Sequence, residues 1–341
     1  MIKRKHMAVL AAAGFVLASL AGCSGGKAPE TKQETTQTEA ATTAAETKAE
    51  AKSGDKKYVV GLAMNTQTNP FFVDVKDGVQ KAADELGVEL YITDAQDDPA
   101  IQMKDVENLI TKKPDCIIID TCDSDAIVSS IEACNEAGIP VLTMDREASG
   151  GEVVSHIGYD AIKSGKLAGE YLVDTLGGKG NIVEIQGIMG TNVAQSRSKG
   201  FNEAISQHPD MKIVACQVAD FDRAKGMSVM ENILQANDHI DGLYAANDEM
   251  LLGALEAIEA AGRLDEITMI GCDAIDDTIE AIKAIKAGKV NATIAEPPFF
   301  LGKAIMTAAY NHLQGKDVDK YVILDNELVT ADNVNELVTK E

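Results

Sequence analysis

Residues 58–99 read YVVGLAMNTQTNPFFVDVKDGVQKAADELGVELYITDAQDDP, and this stretch decides the fold class. An apolar run at 58–64 precedes an Asn-Pro pair at 69–70, in which asparagine suits a helix cap and proline suits the first turn. A second apolar run at 88–93 leads to an Asp-Pro pair at 98–99 with the same properties. Strand, capped helix and strand in this order predict a parallel βαβ unit.

The same alternation continues along the chain. We predict eleven strands separated by helices, at 58–64, 88–93, 116–120, 140–144, 153–158, 181–186, 212–219, 242–246, 267–271, 290–295 and 322–329. Because eleven strands exceed what one open sheet commonly holds, we take the Ser149-Gly150-Gly151 loop as the passage from a first βα series to a second. The predicted fold is α/β, with two doubly wound parallel-sheet lobes.

The N-terminal residues 1–22 are typical of an export signal. Positive residues at 3–5 precede an apolar stretch at 7–20 that is too short to span a bilayer. The signal ends in Leu-Ala-Gly before Cys23, which resembles the cleavage box of bacterial lipoproteins and predicts lipidation of Cys23. An ordinary signal peptide with an incidental cysteine is the alternative. Residues 23–57 carry almost no large apolar side chain and predict a disordered tether, for which a helical spacer is the alternative.

Composition argues against several functions. Residues 58–341 hold 22 basic and 48 acidic side chains, a net charge of −26. Because nucleic-acid binding needs a basic face, we expect no nucleic-acid partner. The five cysteines after Cys23 are odd in number and show no Cys-x-x-Cys spacing, and Cys116 and Cys216 lie in β-branched runs, so we expect buried free thiols. The histidines lack paired spacing, and we expect neither a metal nor a cofactor.

Polar residues follow nearly every predicted strand. Ligands of open parallel sheets bind beyond the carboxyl ends of the strands, where this chain has Asn65, Asp120, Asp145, Arg146, Gly187, Asp220, Phe221, Asn247, Asp248, Asp273 and Glu296. Asp and Asn also favour turns and caps, which explains any single position about as well. Carboxylates, amides and guanidinium groups together suit vicinal hydroxyls, and phenylalanines at 71, 72 and 221 could pack on sugar C–H faces. At least one of the pair at 71–72 is expected in the core.

Seven motifs, in order, give the chain from about Tyr58 to Thr330 a resemblance to the ribose-binding-protein branch of type I periplasmic (solute) binding proteins. They are Asn69-Pro70-Phe71-Phe72, Thr143-Met144-Asp145-Arg146, Val153-Val154-Ser155-His156, Gly190-Thr191 with Arg197, Ala219-Asp220-Phe221-Asp222, Ala246-Asn247-Asp248-Glu249-Met250 and Ala292-Thr293-Ile294-Ala295. The resemblance implies ligand contacts from Asn69, Phe72, Asp145, Arg146, Arg197, Phe221, Asn247 and Asp273, with Phe71 nearby.

The resemblance also implies how the lobes connect. Three crossings near 158–160, 294–297 and 323–326 would form a hinge. The N-terminal lobe would then comprise residues 58–158 and 297–323, and the C-terminal lobe residues 159–296 and 324–341. Replacing Arg197 with alanine is expected to weaken binding and leave the fold intact.

Three positions depart from the ribose binders that the chain resembles. Asn65, Cys272 and Glu296 stand where those proteins carry serine, phenylalanine and glutamine. We include Asn65 and Glu296 among the ligand-binding residues and expect Glu296→Gln to alter sugar preference. With Asp145 and Asp273 against two arginines, Glu296 brings the set to −1, which disfavours acidic sugars and phosphates.

The resemblance implies a sugar-binding lipoprotein of an ABC importer, held outside the cytoplasmic membrane by a lipid anchor. We expect a monomer that closes on a pentose, hexose or polyol and passes it to a membrane permease. A binding protein for another ligand, such as a quorum-sensing furanose, that reports to a chemoreceptor or sensor kinase is the alternative. A glycosidase using Asp145 and Glu296 is less favoured, because the adjacent arginine is expected to hold the pKa of Asp145 low.

Overall fold

The two Asn-Pro and Asp-Pro signals cap helices as predicted. In this computed structural model, which describes residues 57–273 and 280–336, the Asn69 side chain accepts a hydrogen bond from the Phe71 N–H (2.9 Å) and Asp98 accepts one from Ala100 (2.7 Å). These caps begin helices α1 (Pro70–Leu86) and α2 (Pro99–Thr111).

The described residues contain twelve strands in two six-stranded sheets. The first sheet, in the order β11-β5-β4-β3-β1-β2, is entirely parallel and consists of β1 (Val59–Met64), β2 (Glu89–Asp94), β3 (Cys116–Ile119), β4 (Val141–Met144), β5 (Ser155–Tyr159) and β11 (Tyr321–Leu324). The second, in the order β12-β10-β9-β8-β6-β7, consists of β6 (Lys179–Gln186), β7 (Asp210–Val218), β8 (Gly242–Ala245), β9 (Thr268–Asp273), β10 (Ala292–Ala295) and β12 (Glu327–Thr330). Only β12 runs antiparallel to its neighbour within the second sheet. The predicted two-lobed α/β architecture is thus confirmed.

Helices cover the sheets and bury their apolar faces. The remaining helices are α3 (Val128–Glu136), α4 (Ala161–Leu176), α5 (Asn192–Ile205), α6 (Arg223–Ala236), α7 (Asp248–Ala260), α8 (Glu280–Lys286) and α9 (Pro298–Leu313). Helix α9 follows β10 of the second sheet and yet packs against α1 of the first. The chain therefore returns to the first sheet after β10, and it ends its last described strand in the second.

Two details of the sequence prediction were wrong. The single strand at 322–329 is two strands, because the chain changes sheets within it: Leu324 pairs with Tyr159 of the first sheet, and Glu327 pairs with Ala295 of the second. The loop at 149–151 is not the passage between lobes, since it joins β4 to β5 within the first sheet. An apolar run has the same pattern in either sheet, so periodicity could not locate these passages.

Close helix packing places the side chains of α5. A Cβ atom at Gly165 of α4 would lie 1.9 Å from the carbonyl oxygen of Arg197, and one at Gly200 of α5 would lie 2.0 Å from that of Ile162. Both helices therefore need glycine where their backbones meet. This contact fixes the position of Arg197 over the end of the second sheet.

Several predictions concern residues outside those described. They are the signal at 1–22, the lipidation of Cys23, nearly all of the tether and the last residues from 337. No helix among the described residues is long and apolar enough to cross a membrane. The cysteines at 116, 122, 134, 216 and 272 are free thiols, and the expected burial is wrong only for Cys216, which is exposed.

Candidate ligand-binding site

A cavity lies where the carboxyl ends of the two sheets face each other. Its empty volume, which includes some open solvent, is about 280 Å³. The lining residues are Asn69, Phe71, Phe72, Asp145, Arg146, Val193, Arg197, Phe221, Asn247 and Asp273. The structure thus brings together nine of the eleven residues that we predicted to bind ligand, and both sheets contribute to the lining.

Strained backbone presents several of these side chains. Asp145, Phe221 and Asp273 have φ angles of 53°, 59° and 136°, and such conformations in non-glycine residues cost on the order of 1–3 kcal/mol each. Surrounding structure must therefore hold them in place. Asp273 is the last residue of β9, Asp145 follows β4 directly and Phe221 lies three residues after β7, so all three stand at the cavity end of a sheet.

Arg146 lies between two aromatic rings. Its guanidinium carbon is 4.9 Å from the centre of the Phe72 ring, on the first lobe, and 5.4 Å from that of Phe221, on the second. It also donates to the Thr121 carbonyl (3.2 Å) and pairs with Asp145 at 3.8 Å. Because cation–π contacts gain strength when desolvated, buried Arg146 links an aromatic ring of each lobe.

Arg197 is pinned from two sides. Its Nη1 donates to the Ala246 carbonyl (2.5 Å), and its Nη2 pairs with Glu296 at 2.5 Å and with Asp273 at 3.4 Å. Within the part of the chain that the structure describes, its buried Nε has no hydrogen-bond partner. A donor of fixed direction is therefore available beside the cavity.

The carboxyl groups of the site are poor acids. Burial raises the pKa of Asp145 to about 6, despite the opposing effects of Arg146 and Arg197. Burial likewise raises the pKa of Asp273 well above its usual range. The expectation that the adjacent arginine holds the pKa of Asp145 low is therefore wrong, because desolvation outweighs the charge of the neighbour. Hydroxyl donors from a ligand would relieve this penalty.

Two of the predicted contacts do not line the cavity. Asn65 is fully buried behind it, with its amide 3.4 Å from Asp97. Glu296 is 1% exposed and lies beneath Arg197, where it also accepts a hydrogen bond from the hydroxyl of Ser164. Conversely, Val193 lines the cavity although no polar pattern marked it. Its position four residues before Arg197, one helical turn away, was the available signal.

The two sides of the cavity also bond directly to each other. The Ser124 N–H donates to the Gly190 carbonyl (3.0 Å), the Asn192 N–H donates to the Ser124 hydroxyl (3.1 Å), and the Glu147 N–H donates to the Asn192 side chain (2.9 Å). A Cβ atom at Gly190 would lie 2.3 Å from a carboxylate oxygen of Asp123. A larger residue at this position would therefore displace the Asp123 carboxylate from across the cavity.

One cluster among the described residues has donor atoms close enough for a metal ion, namely Cys272, Asp273 and Glu296. The guanidinium of Arg197 already contacts both carboxylates of this cluster. It supplies the positive charge that a metal would otherwise bring, so the residues do not fit a cation site.

The chain is similar to known periplasmic and solute-binding proteins. A family model for the periplasmic binding protein domain matches residues 60–317. The ribose import binding protein RbsB of Salmonella typhimurium is 41% identical over 273 residues, which cover 80% of this chain and 90% of that protein. A solute-binding protein of an ABC transporter from Bacillus halodurans, solved with bound myo-inositol, aligns at a TM-score of 0.79 and 32% identity, covering 83% of this chain and 98% of its own. The fructose-binding periplasmic domain of a hybrid two-component system aligns at a TM-score of 0.79 and 28% identity, covering 82% and 92%.

Proposed function

The chain belongs to the periplasmic binding protein domain family, and on this premise we propose that it captures a neutral monosaccharide or polyol and delivers it to an ABC importer. Homologous proteins are solute-binding proteins of sugar ABC transporters rather than enzymes. The observation that carries the proposal is the cavity between the sheets, lined by acceptors, donors and phenylalanine rings from both lobes.

The lining matches the chemistry of a polyhydroxylated ring. Asp145 and Asp273 accept from ligand hydroxyls, Arg146 and Arg197 donate to them, and Asn247 contributes an amide. The rings of Phe72 and Phe221 flank the cavity and suit the apolar faces of a sugar. With Glu296, the carboxyl groups of the site outnumber its two arginines by one, so an acidic sugar would add to an existing negative charge, and we propose neutral ligands.

We propose hinge closure as the mechanism. The proposed lobes are 58–158 with 297–323, and 159–296 with 324–341. The passages between the sheets support this division except at its edges, where Tyr159 and Leu324 still pair within the first sheet. A ligand that contacts Asp145 and Arg146 on one lobe and Arg197 and Asn247 on the other binds the closed form better than the open form. It therefore shifts the population toward closure. The closed monomer then docks on a permease.

We further propose that Cys23 carries a lipid anchor and that residues 23–57 tether the domain outside the cytoplasmic membrane. Metabolic labelling with a fatty acid tests this directly. We expect the wild type to be labelled and to sediment with membranes, and Cys23→Ala to lose both properties. Labelling that persists in Cys23→Ala would refute the anchor.

A thermal-shift panel tests the ligand class. D-ribose, D-allose, D-fructose, myo-inositol and a furanose signal molecule are compared with sugar phosphates and uronic acids. At a hundredfold excess over Kd, binding stabilises the fold by about 2.7 kcal/mol, which raises Tm by roughly 5–10 °C. We expect a shift with at least one neutral sugar or polyol and none with the acidic compounds. Stabilisation by acidic compounds alone would contradict the proposal.

A second candidate function is signalling, in which the liganded protein reports to a receptor or sensor kinase. The structural similarity to the periplasmic domain of a two-component system favours it. Crosslinking of the liganded protein in cell membranes separates the two outputs, since a transporter subunit is expected for import and a receptor or kinase for signalling.

A further inference from the structure

The three passages of the chain between the sheets are hydrogen-bonded to one another. They comprise residues 159–161, 295–298 and 324–327, which we term the first, second and third crossings. The Tyr159 hydroxyl of the first crossing donates to the Pro297 carbonyl of the second (2.7 Å). The Asn326 amide of the third donates to the Asp160 carbonyl of the first (2.9 Å). Movement at one crossing therefore disturbs the others.

Ser164 connects these crossings to the ligand-binding arginine. It is fully buried in the first turn of α4, and its hydroxyl accepts from the Asn326 amide (2.6 Å) and donates to a carboxylate oxygen of Glu296. The other oxygen of Glu296 accepts from Arg197 Nη2. A continuous chain of hydrogen bonds thus runs from the third crossing to the cavity.

Glutamate suits this chain of bonds better than glutamine, which would turn the Ser164 hydrogen toward its other acceptor, the Asp160 carbonyl (3.3 Å). Both of its neighbours, the Arg197 guanidinium and the Ser164 hydroxyl, present hydrogens to it, and a carboxylate accepts on both oxygens. A glutamine would accept on one oxygen only and would direct its NH₂ group at the other donor. The second crossing gains a further constraint from the bond between the Glu296 N–H and the Asp273 carbonyl (2.8 Å).

We propose that Glu296 is a positioning residue that couples the orientation of Arg197 to the hinge, without contacting the ligand. The inference rests on the proposed binding function for its effect on affinity, and on the structure alone for its effect on the hinge. A ligand that fixes Arg197 stiffens all three crossings through Glu296 and Ser164. Loss of either bond leaves Arg197 less ordered and the crossings looser.

Hydrogen exchange of the full chain, followed by mass spectrometry, tests the coupling without any ligand. The variants are Ser164→Ala and Glu296→Gln, and neither side chain lines the cavity. Glu184→Gln is the matched control, because Glu184 is also 1% exposed in the second sheet, but it bonds only to Gln186, Asn202 and Cys216 among described residues. We expect faster deuterium uptake at all three crossings in both variants and wild-type uptake in the control.

A second arm uses D-ribose as the probe. In the wild type, we expect it to slow exchange at the third crossing, although no residue there lines the cavity, and Ser164→Ala should remove that protection. The affinity of Ser164→Ala for D-ribose should be about fivefold to thirtyfold lower than that of the wild type, as expected for one lost buried hydrogen bond. The Glu184→Gln control should bind D-ribose like the wild type.

The experiments without ligand and with D-ribose test different claims, and each can be contradicted without the other. Unchanged uptake at the crossings in Ser164→Ala and Glu296→Gln, with only a lower Tm, would show that Glu296 is merely structural and would overturn the coupling. If D-ribose fails to bind the wild type, D-ribose is excluded as a ligand, and the ligand-free arm still decides whether Glu296 couples to the hinge.

Discussion

Replacing Arg197 with methionine should cost both stability and affinity. The guanidinium is 4% exposed and is the counter-charge of Glu296 and Asp273. Removing one partner of a buried ion pair costs about 3–5 kcal/mol, because a buried charge is left without compensation. Methionine fills the space of the aliphatic stem and so adds little cavity penalty. The structure therefore changes the sequence-based expectation that loss of Arg197 leaves the fold undisturbed.

The Arg197→Met substitution should also weaken ligand binding, independently of its effect on stability. Truncating a buried charged partner of a ligand costs about 2–5 kcal/mol of binding free energy, which raises Kd by roughly 30-fold or more. Because a domain is stable by about 5–15 kcal/mol, the variant should remain folded for calorimetry. Urea unfolding measures the first effect and isothermal titration with the stabilising sugar measures the second.

Two further variants sharpen this test. Arg223→Met is the matched control: Arg223 also pairs with two glutamates but is 32% exposed, so its loss should cost no more than about 1 kcal/mol. In Arg197→Met with Glu296→Gln, part of the stability should return, because no ionised glutamate is left unpaired, while binding stays weak. An Arg197→Met protein as stable as the Arg223→Met control would refute the reasoning.

Three other outcomes follow from the geometry. Gly190→Ala should bind sugar more weakly while keeping its ligand-free Tm, because the added Cβ would lie 2.3 Å from the Asp123 carboxylate across the cavity and displace it; equal affinity in calorimetry would contradict this. Phe221→Ala should lose on the order of 1–3 kcal/mol of binding energy through lost apolar contact, and calorimetry showing wild-type Kd would exclude Phe221 from the site. Affinity should fall as pH drops through about 6, since Asp145 has a pKa of about 6 without ligand and hydroxyl donors lower it on binding; a Kd independent of pH from 5 to 8 would argue against Asp145 as an acceptor.

Local rules recovered most of the architecture. Asn69 and Asp98 cap helices as their Pro-flanked positions predict, and the strands of the first βαβ unit pair in parallel as predicted. The sheet change at Asp325 and Asn326 could not be predicted from pattern, because short strands on either side have the same apolar character and differ only in their partners. The partner of a strand is a long-range property that local periodicity does not encode.

The residues of the candidate site likewise include some that local pattern predicts and one that it does not. Residues at strand ends that also match family motifs, such as Asp145 and Asn247, lie in the cavity. Glu296 also follows a strand, but its side chain turns to Arg197 and Ser164. Which of two buried directions a carboxylate takes depends on the donors around it, and α4 and α5 supply these from distant positions in the sequence.

A crystal structure of the complex with the most stabilising sugar tests the central claim most directly. We predict the sugar between the two sheets, with bonds to Asp145 and Arg146 on one lobe and to Arg197 and Asn247 on the other, and with Glu296 still bonded to Ser164. A sugar bound outside this cavity, or held by one lobe alone, would contradict the account.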